Sequence, residues 1–252
     1  MANRTVKDAK TIHNTNPQYL MEKIIRSRIY ESRYWKEECF GLNAELLVDK
    51  ACELRYIGGI YGGNIKPTPF LCLVQKLLQI QPEKDIIIEF IKQDHFKYAR
   101  ALGAFYMRLT SNSLDVWKYL EPLYNDYRKL RMIDRMGTFS VIYMDEFIDK
   151  LLREERAFDT ILPRINARRI HELNEELEPR VSLLEEELDN VATEEESEDE
   201  VEENKEPKIN EEDERGRKEK HQHSVPRREE RDRERERDHH RHQGMFAAVK
   251  KL

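Results

Sequence analysis

Cysteine is scarce in this chain, and the few cysteines present are not spaced for metal binding. Its 252 residues include three, Cys39, Cys52 and Cys72, each standing alone in an apolar, helix-like stretch. The absence of any CxxC pair argues against zinc binding and against thioredoxin-like redox chemistry. So sparse a set of unpaired cysteines indicates buried thiols and a reducing compartment.

Long apolar runs are missing as well. No stretch approaches the roughly 20 apolar residues that a membrane-spanning helix needs. The first residues, MANRTVKDAKTIH, lack the apolar centre of a secretory signal peptide. We therefore expect a soluble, intracellular protein that has no membrane partner.

Motifs that would indicate catalysis are absent too. Before residue 181 the histidines are His13, His95 and His171, far apart in sequence, and neither HExxH nor Gly-x-Ser-x-Gly occurs. Nothing in the spacing positions a nucleophile beside a base, and a histidine in a polar helical context is more often a surface residue. The sequence predicts no enzymatic activity, no cofactor, no metal site and no small-molecule substrate.

Aromatic residues almost disappear from the last quarter of the chain. After Phe158 only Phe246 remains. Residues 1–180 carry 29 Lys and Arg against 26 Asp and Glu, a net charge of +3, whereas residues 181–252 carry 15 against 24, a net of −9. A segment with few apolar residues and dense charge cannot bury enough surface to offset its ordering entropy. We predict one folded domain in 1–180 and a disordered tail in 181–252, acidic first and then rich in Arg and Glu.

Glycine and proline are concentrated in one place. Four glycines and two prolines fall within residues 58–69 of the segment LRYIGGIYGGNIKPTPFLCL. Such a run predicts a tightly turned path, because glycine reaches backbone angles closed to other residues and proline fixes φ. A phosphate-binding loop is the alternative, but Lys66 is followed by Pro67 rather than by Ser or Thr. A structural elbow is the favoured interpretation.

Outside the elbow, apolar residues recur mostly at helical spacing. Polar caps followed by proline at Asn16-Pro17 and Thr68-Pro69 predict helix starts. Further starts are expected at Gln81-Pro82, Asp94, Ser113 and Asp145, with a kink or break at Pro122. Residues 97–109 are expected to leave only Arg and Lys facing outward, and residues 137–143 are the only extended piece. The predicted fold class is mainly α: a single multi-helix domain with at most a short β-hairpin, followed by the charged tail.

Direct RNA recognition is not expected from this sequence. A net charge of +3 over the folded part gives no electrostatic footprint of the kind that nucleic-acid-binding domains show. No RNP-type motif and no strand platform for base stacking is visible. Weak contact with an RNA backbone inside a larger assembly stays open.

Protein binding has the strongest positive support. The segment LYNDYRKLR is interpreted as a helix that follows the proline kink and carries Tyr124, Asp126, Tyr127 and Arg128. Tyrosine and arginine dominate the energetics of protein interfaces. In isolation, however, such a segment is more often an ordinary solvated helix.

Several segments together resemble the pre-mRNA-splicing factor 38 family, over roughly residues 1–180. They are the Gly-rich elbow, NPQYLMEKIIRSRIYESRYWKEECFGL (16–42), QPEKDIIIEFI (81–91), YLEPLYNDYRKL (119–130), DEFIDKLL (145–152) and ILPRI (161–165). The resemblance implies a helical, noncatalytic nuclear protein that joins the pre-catalytic spliceosome and supports its activation. The implied partners are other spliceosomal proteins, associated with the tri-snRNP, and RNA contact would be mostly indirect. An RNA-binding protein that contacts small nuclear RNA backbone directly is the alternative.

The resemblance also raises the expectation of partner-contact surfaces. Three groups of residues are candidates: the elbow residues Tyr61, Asn64 and Lys66; the post-kink residues Tyr124, Asp126, Tyr127 and Arg128; and the carboxylates Asp145, Glu146 and Asp149. Without the resemblance, the three carboxylates indicate no function, since acidic residues are common in the first turn of a helix.

The tail departs from the Arg/Ser-rich tails of animal members of that family. It carries RDRERERD at residues 231–238 and only three serines, so its fixed charges resemble a stand-in for phosphorylated Arg-Ser repeats. Its final nine residues, GMFAAVKKL, form its only apolar cluster and are either frayed or a docking peptide.

Overall fold

Polar caps and prolines begin several of the helices, as the sequence predicts. In this computed structural model, which describes residues 3–180, Thr68 Oγ1 accepts the backbone N–H of Leu71 at 3.2 Å and opens the most buried helix. The helices of the described residues are α1 (Lys23–Glu31), α2 (Arg33–Glu37), α3 (Ala44–Cys52), α4 (Pro69–Ile80), α5 (Lys84–Lys92), α6 (Lys97–Thr110), α7 (Ser113–Leu120), α8 (Met144–Arg153) and α9 (Arg168–Leu173). Two 3₁₀ turns, Pro17–Leu20 and Glu121–Asn125, begin with or contain a proline.

Short strands connect the helices, and they are more numerous than the single predicted hairpin. The strands are β1 (Ile57–Gly58), β2 (Ile60–Tyr61), β3 (Lys66–Pro67), β4 (Lys129–Ile133), β5 (Phe139–Tyr143), β6 (Arg156–Ala157) and β7 (Thr160–Ile161). Three of them form a sheet in the order β1-β4-β5, in which β1 is parallel and β5 antiparallel to β4. The expectation of at most a short hairpin is therefore wrong, although the predicted extended piece does form β5.

The core is built around α4 and α6. Both helices are buried along nearly their whole length, and α6 also packs against α5 and α8. The rings of Phe70 in α4 and Phe105 in α6 are fully buried, with centroids 5.8 Å apart. The dense apolar content of the segment after Thr68-Pro69 correctly predicts a central helix.

A left-handed turn between β6 and β7 closes this core. Phe158 and Asp159 have φ values of 47° and 62°, and these two residues alone join β6 to β7. The turn directs the Phe158 ring into the core, where its centroid lies 5.7 Å from those of Phe70 and Phe105. The ring of Phe147, from α8, lies at the same distance.

The Gly-rich elbow is a tightly turned path, as predicted. It contains β1, β2 and β3, and the backbone N–H of Ile60 donates to Asp159 Oδ2 at 2.9 Å. The same carboxylate accepts Arg135 Nε at 2.8 Å, and Gly62 N–H donates to the Arg135 carbonyl at 2.8 Å. One aspartate of the β6–β7 turn therefore holds the elbow and the tip of the β4–β5 hairpin together.

Some predicted helix starts and buried faces are wrong. The helix predicted from Pro17 is split into a 3₁₀ turn, α1 and α2, because Ser32 caps a new start by accepting the Trp35 N–H. Ile24 and Phe40 belong to the apolar residues of this segment, which helical spacing would bury, but both are exposed. Further along, α5 begins at Lys84 instead of Pro82, α6 has no aspartate cap, and α8 begins before Asp145.

Two arginines of α6 are buried, although the sequence was expected to leave them facing outward. Arg100 bonds to carboxylates from neighbouring segments, whereas Arg108 donates Nε to the Leu151 carbonyl at 2.7 Å. Burial lowers the pKa of Arg108 to about 10. Helical spacing alone missed this because α8 and the chain after Leu120 cover the polar side of the helix.

The N-terminal arm is held against the end of α4 by uncharged hydrogen bonds. Val6 N–H donates to the Gln79 carbonyl at 3.2 Å, and Gln79 Nε2 donates to the Arg4 carbonyl at 2.9 Å. The amide of Gln81 both accepts from and donates to the backbone of Lys10. A segment expected to be a simple extended arm is thus part of the folded domain.

The predicted tail, residues 181–252, lies outside the described residues, as do the expectations about its acidic tract, its Arg/Glu repeat and its last nine residues. Within 3–180, no helix has the length and apolar character required to span a bilayer.

Gly59 provides a test of the close approach between the elbow and the β6–β7 turn. A Cβ at this position would lie 2.8 Å from the Phe158 carbonyl carbon and oxygen and would also collide with the Asp159 carboxylate. We expect Gly59→Ala to destabilise the protein by about 1–3 kcal/mol, as overpacking of a rigid contact does, in urea unfolding followed by circular dichroism.

Gly63→Ala is the matched control, since a Cβ there meets nothing within 4 Å. It should be neutral or stabilising by about 0.4–1 kcal/mol, because it reduces the entropy of the unfolded chain. Equal effects of the two substitutions would contradict the described packing of the elbow.

Candidate interaction surface along the hairpin

The β4–β5 hairpin runs between the three groups of residues that the sequence analysis singled out. Its open end, at Lys129 and Tyr143, adjoins the post-kink residues and α8. Its tip, at Arg135, bonds to the elbow through the Gly62 N–H. The elbow residues therefore lie at one end of the hairpin, and the other two groups lie together at the opposite end.

The post-kink segment is not a helix. Pro122 lies in the 3₁₀ turn Glu121–Asn125, residues 126–128 belong to no helix or strand, and β4 begins at Lys129. The interpretation of Leu123–Arg131 as a helix was wrong because pairing with β1 and β5 outweighs the weak local preference of this polar segment.

Asp126 is the centre of an ion cluster and is not a free surface carboxylate. Its side chain is 8% exposed, accepting Arg100 at 2.6 Å through Oδ2 and Arg128 Nε at 2.8 Å through Oδ1. The same two arginines also bond to Asp94, at its side chain and its carbonyl. Burial acts to raise the pKa of Asp126, but the hydrogen bonds from Arg128 and Arg100 outweigh it and lower that pKa to about 2.

Tyr124 and Asp149 are brought together from different groups. The Tyr124 hydroxyl donates to Asp149 Oδ1 at 2.9 Å, and Arg153 Nε donates to the same oxygen at 2.7 Å. Burial, and then the neighbouring Asp149 carboxylate, raise the pKa of Tyr124 to about 12. This contact fixes α8 against the 3₁₀ turn that precedes the hairpin.

The other two carboxylates of α8 differ in role. Glu146 is exposed and its Oε2 accepts the Tyr143 N–H at 3.0 Å, so it caps the helix where β5 ends. Asp145 is partly buried, and its Oδ1 has no hydrogen-bond partner among the described residues. The cluster predicted from sequence thus consists of one cap, one tie to Tyr124 and one unsatisfied carboxylate.

Four of the ten candidate residues are exposed to solvent. Asn64 and Lys66 are exposed in the β2–β3 turn, and Tyr127 and Glu146 are exposed at the opposite end of the hairpin. Tyr61 is half-buried where it pairs with Lys66. The contacts described above engage Tyr124, Asp126, Arg128 and Asp149. For these residues a structural role has more support than a role in partner binding.

The hairpin itself has an exposed face that was not predicted from the sequence. Alternate residues of β4 and β5 point outward and are exposed: Lys129, Arg131, Phe139, Val141 and Tyr143. Polar and apolar residues alternate in KLRM (129–132) as they do in a half-buried strand, and that signal was available. A strand platform, which the sequence was not expected to contain, is therefore present.

His171 is buried and lies in a serine–histidine–glutamate array. Its Nε2 lies 2.7 Å from Ser113 Oγ, and its Nδ1 lies 2.6 Å from Glu176 Oε2. Sequence spacing gave no sign of this array, because Ser113 lies 58 residues before His171 along the chain. The Ser113 hydroxyl already accepts the Asn166 N–H at 3.0 Å, and the Asn166 carbonyl accepts the Trp117 indole N–H. The array fastens the segment before α9 onto α7.

Among residues 3–180, no group of three or more His, Cys, Asp or Glu is placed to hold a metal ion. Cys39 and Cys72 are buried and unpaired, as predicted, whereas Cys52 is unpaired but only half-buried. Burial raises the pKa of Cys72 to about 12, which leaves this thiol protonated and unreactive.

Comparison with known proteins identifies relatives along most of the chain. A family model described as "PRP38 family" matches residues 10–175. "Pre-mRNA-splicing factor 38A" of Xenopus tropicalis is 68% identical over 196 residues, which are 78% of this chain and 63% of that protein. The protein of the same name from Homo sapiens is 69% identical over 191 residues, 76% of this chain and 61% of that protein. "Pre-mRNA-splicing factor 38" of Drosophila melanogaster is 67% identical over 202 residues, 80% and 61% of the two chains.

A solved structure supports the same relationship. A chain in the crystal structure of the Snu23-Prp38-MFAP1(217-258) complex of Chaetomium thermophilum is 45% identical, with a TM-score of 0.67. The similarity covers 75% of this chain and all of that one. This chain spans only 61–63% of the length of the three curated relatives named above.

The charge cluster around Asp126 predicts a specific dependence of stability on pH. Because the folded-state pKa of Asp126 is lowered to about 2, its contribution is present above its unfolded pKa and is lost as pH falls from about 5 towards 2. Asp126→Asn should destabilise the protein by about 3 kcal/mol at neutral pH, since it leaves the buried Arg100 with only the exposed Asp94 carboxylate as a negative partner. The Asn variant should also lose less stability on acidification, in urea unfolding measured at several pH values.

Asp134→Asn is the control, because Asp134 is exposed at the hairpin tip. It should change neither the stability nor its pH profile. If Asp126→Asn behaved in the same way, Asp126 would not be the electrostatic centre of this region.

Proposed function

The chain belongs to the PRP38 family, and on that premise we propose that it is a noncatalytic component of the spliceosome that holds other splicing proteins in the pre-catalytic complex. One observation carries the proposal: the 45% identical structural relative is seen in complex with Snu23 and a segment of MFAP1. The similarity covers the whole of that crystallised chain. This chain therefore has a counterpart of all of the relative that is seen in the complex.

The partners we propose for this chain are the counterparts of Snu23 and MFAP1. Residues 217–258 of MFAP1 are a short segment, and short segments gain affinity by laying an apolar helix face or an extended strand along a preformed surface. We expect amphipathic helices lying along grooves of this mainly helical domain.

The contact residues we propose are the exposed members of the predicted groups. They are Asn64 and Lys66 in the elbow, beside the tip of the β4–β5 hairpin, and Tyr127 and Glu146 at the open end of that hairpin. Tyr127 is 64% exposed although it lies between two residues of the ion cluster. The rigid cluster beneath it holds its backbone in place, and a large, preordered aromatic side chain is typical of interface hot spots.

The proposed role in spliceosome activation is positional. The protein would act in the nucleus, joining with or alongside the tri-snRNP, and would hold partner segments near the RNA helicase that unwinds the small nuclear RNAs. The noncatalytic assignment is supported by the family to which the chain belongs.

Binding of the full-length chain to its proposed partners tests this function. We expect it to co-purify with the counterparts of Snu23 and of MFAP1 residues 217–258, before and after nuclease treatment. The variant Tyr127→Ala should weaken capture of at least one partner by about 30-fold, the effect of losing a hot-spot residue, measured by isothermal titration calorimetry.

Phe40→Ala is the matched control, because Phe40 is 70% exposed but lies outside the three groups. It should bind as the unmodified protein does. Binding that disappears with nuclease would show that the contacts run through RNA. Normal binding by Tyr127→Ala would assign the partners to another surface.

A further inference from the structure

The exposed face of the hairpin pairs cations with aromatic rings. The guanidinium carbon of Arg131 lies 3.7 Å from the centroid of the Phe139 ring. Lys129 Nζ lies 5.9 Å from the centroid of Tyr143 on the same two strands. Each ring therefore carries a positive charge over or beside it, at distances where cation–π attraction operates.

A third such pair adjoins them at the start of α6. Lys97 Nζ lies 5.3 Å from the centroid of Tyr98, and it also donates to the Lys129 carbonyl at 2.6 Å. The Tyr98 hydroxyl accepts the backbone N–H of Arg131 at 3.2 Å. The free edge of β4 beyond β1 is thereby covered by another ring and another cation, which extends the surface sideways.

Strand register fixes the spacing of this surface. Lys129 pairs with Tyr143, Arg131 with Val141, and residues two apart on each strand share a face. Phe139, Val141 and Tyr143 are 44%, 63% and 40% exposed, and no acidic residue occurs in β4 or β5. Because β5 is the edge of the described sheet, nothing within residues 3–180 pairs with its outer side.

The chemistry of the surface favours one class of ligand. An apolar protein surface would cover the rings but would remove Lys129 and Arg131 from water without a partner, which is costly. An acidic peptide would match the cations but would leave the rings exposed. A nucleotide brings a base that stacks and a phosphate that pairs with a cation, so it satisfies both at once.

We propose that this aromatic–cationic face binds single-stranded RNA, with bases stacking on Phe139, Tyr143 and the Arg131 guanidinium, and phosphates paired with Lys129 and Lys97. The choice of RNA over single-stranded DNA rests on the proposed function, which places the chain among RNA. The face is open and flat and presents rings and cations instead of a pocket of amide donors and acceptors. Binding therefore depends on strandedness and salt and not on base sequence.

Fluorescence anisotropy of the full chain with a labelled oligouridylate of about twelve nucleotides, a length within the range of known single-strand sites, tests the proposal. Arg131→Ala and Phe139→Ala should each weaken binding by about 5- to 100-fold, the loss that follows removal of a stacking partner. Phe139→Tyr keeps an aromatic ring and should bind normally. Lys129→Ala should reduce the slope of log affinity against log salt by about 0.7, the value for one phosphate contact on a single strand.

The matched control is Tyr19→Ala. Tyr19 is 63% exposed and has the Arg26 guanidinium 4.3 Å from its centroid, so it is the same kind of pair outside the hairpin. This substitution should leave RNA affinity unchanged. A thermal melt of each variant shows that the fold is retained.

Several results would overturn the proposal. The first is equal affinity for an RNA duplex of the same length, or equal competition by polyglutamate, since either means charge attraction alone. The second is normal RNA binding by Arg131→Ala and Phe139→Ala. The third is that the same two variants keep their RNA binding but no longer capture the Snu23 or MFAP1 counterparts. That result would assign the face to a protein partner. No RNA binding together with normal partner capture would reject this inference alone; loss of both would reject the proposed function as well.

Discussion

The two-residue turn at Phe158 and Asp159 is the contact on which the arrangement of this domain depends. Its left-handed backbone sends two neighbouring side chains in opposite directions. The phenyl ring enters the core between α4, α6 and α8, and the carboxylate reaches Ile60 in the elbow and Arg135 at the hairpin tip. The backbone of this turn is therefore held from two sides. Apolar burial fixes the Phe158 ring, and charge-assisted hydrogen bonds fix the Asp159 carboxylate.

A second constraint fixes the opposite end of the hairpin. Asp126 is shared by Arg100 and Arg128, while Asp149 holds Tyr124 against α8. Between these two anchors the strands present an unusually exposed row of rings and cations. Rigid ends with an open middle suit a recognition surface, because little ordering entropy remains to be lost when a partner binds.

Much of the fold could be predicted from local signals, and the failures share a cause. Thr68-Pro69 predicts α4, the IIIEFI run preceded by an acidic turn predicts α5, and residues 137–143 predict β5. Those signals lie within one element. The segment from Leu123 to Arg131 failed because its state is decided by strands contributed from residues 57–58 and 139–143.

The candidate site was predicted less well than the fold. Sequence reasoning ranked Tyr124, Asp126 and Arg128 by residue type, and residue type does not show which charged groups will be shared and buried. The burial of Arg100 and His171 was likewise invisible, since their partners lie 26 and 58 residues away along the chain. Alternation in β4 was the one local signal that would have revealed the exposed face.

The order of synthesis affects two contacts between distant parts of the chain. One joins the N-terminal arm to Gln81, and the other joins Phe158 to α4 and α6. The N-terminal arm leaves the ribosome about 71 residues ahead of Gln81, to which it binds. Because the arm is polar, it can wait in solution without exposing an apolar face that would favour aggregation. The α4 and α6 layers have no such protection, since Phe158 emerges only after both helices are complete. Phe158, one ring of the apolar interior, therefore joins Phe70 and Phe105 only after the β6–β7 turn has been made.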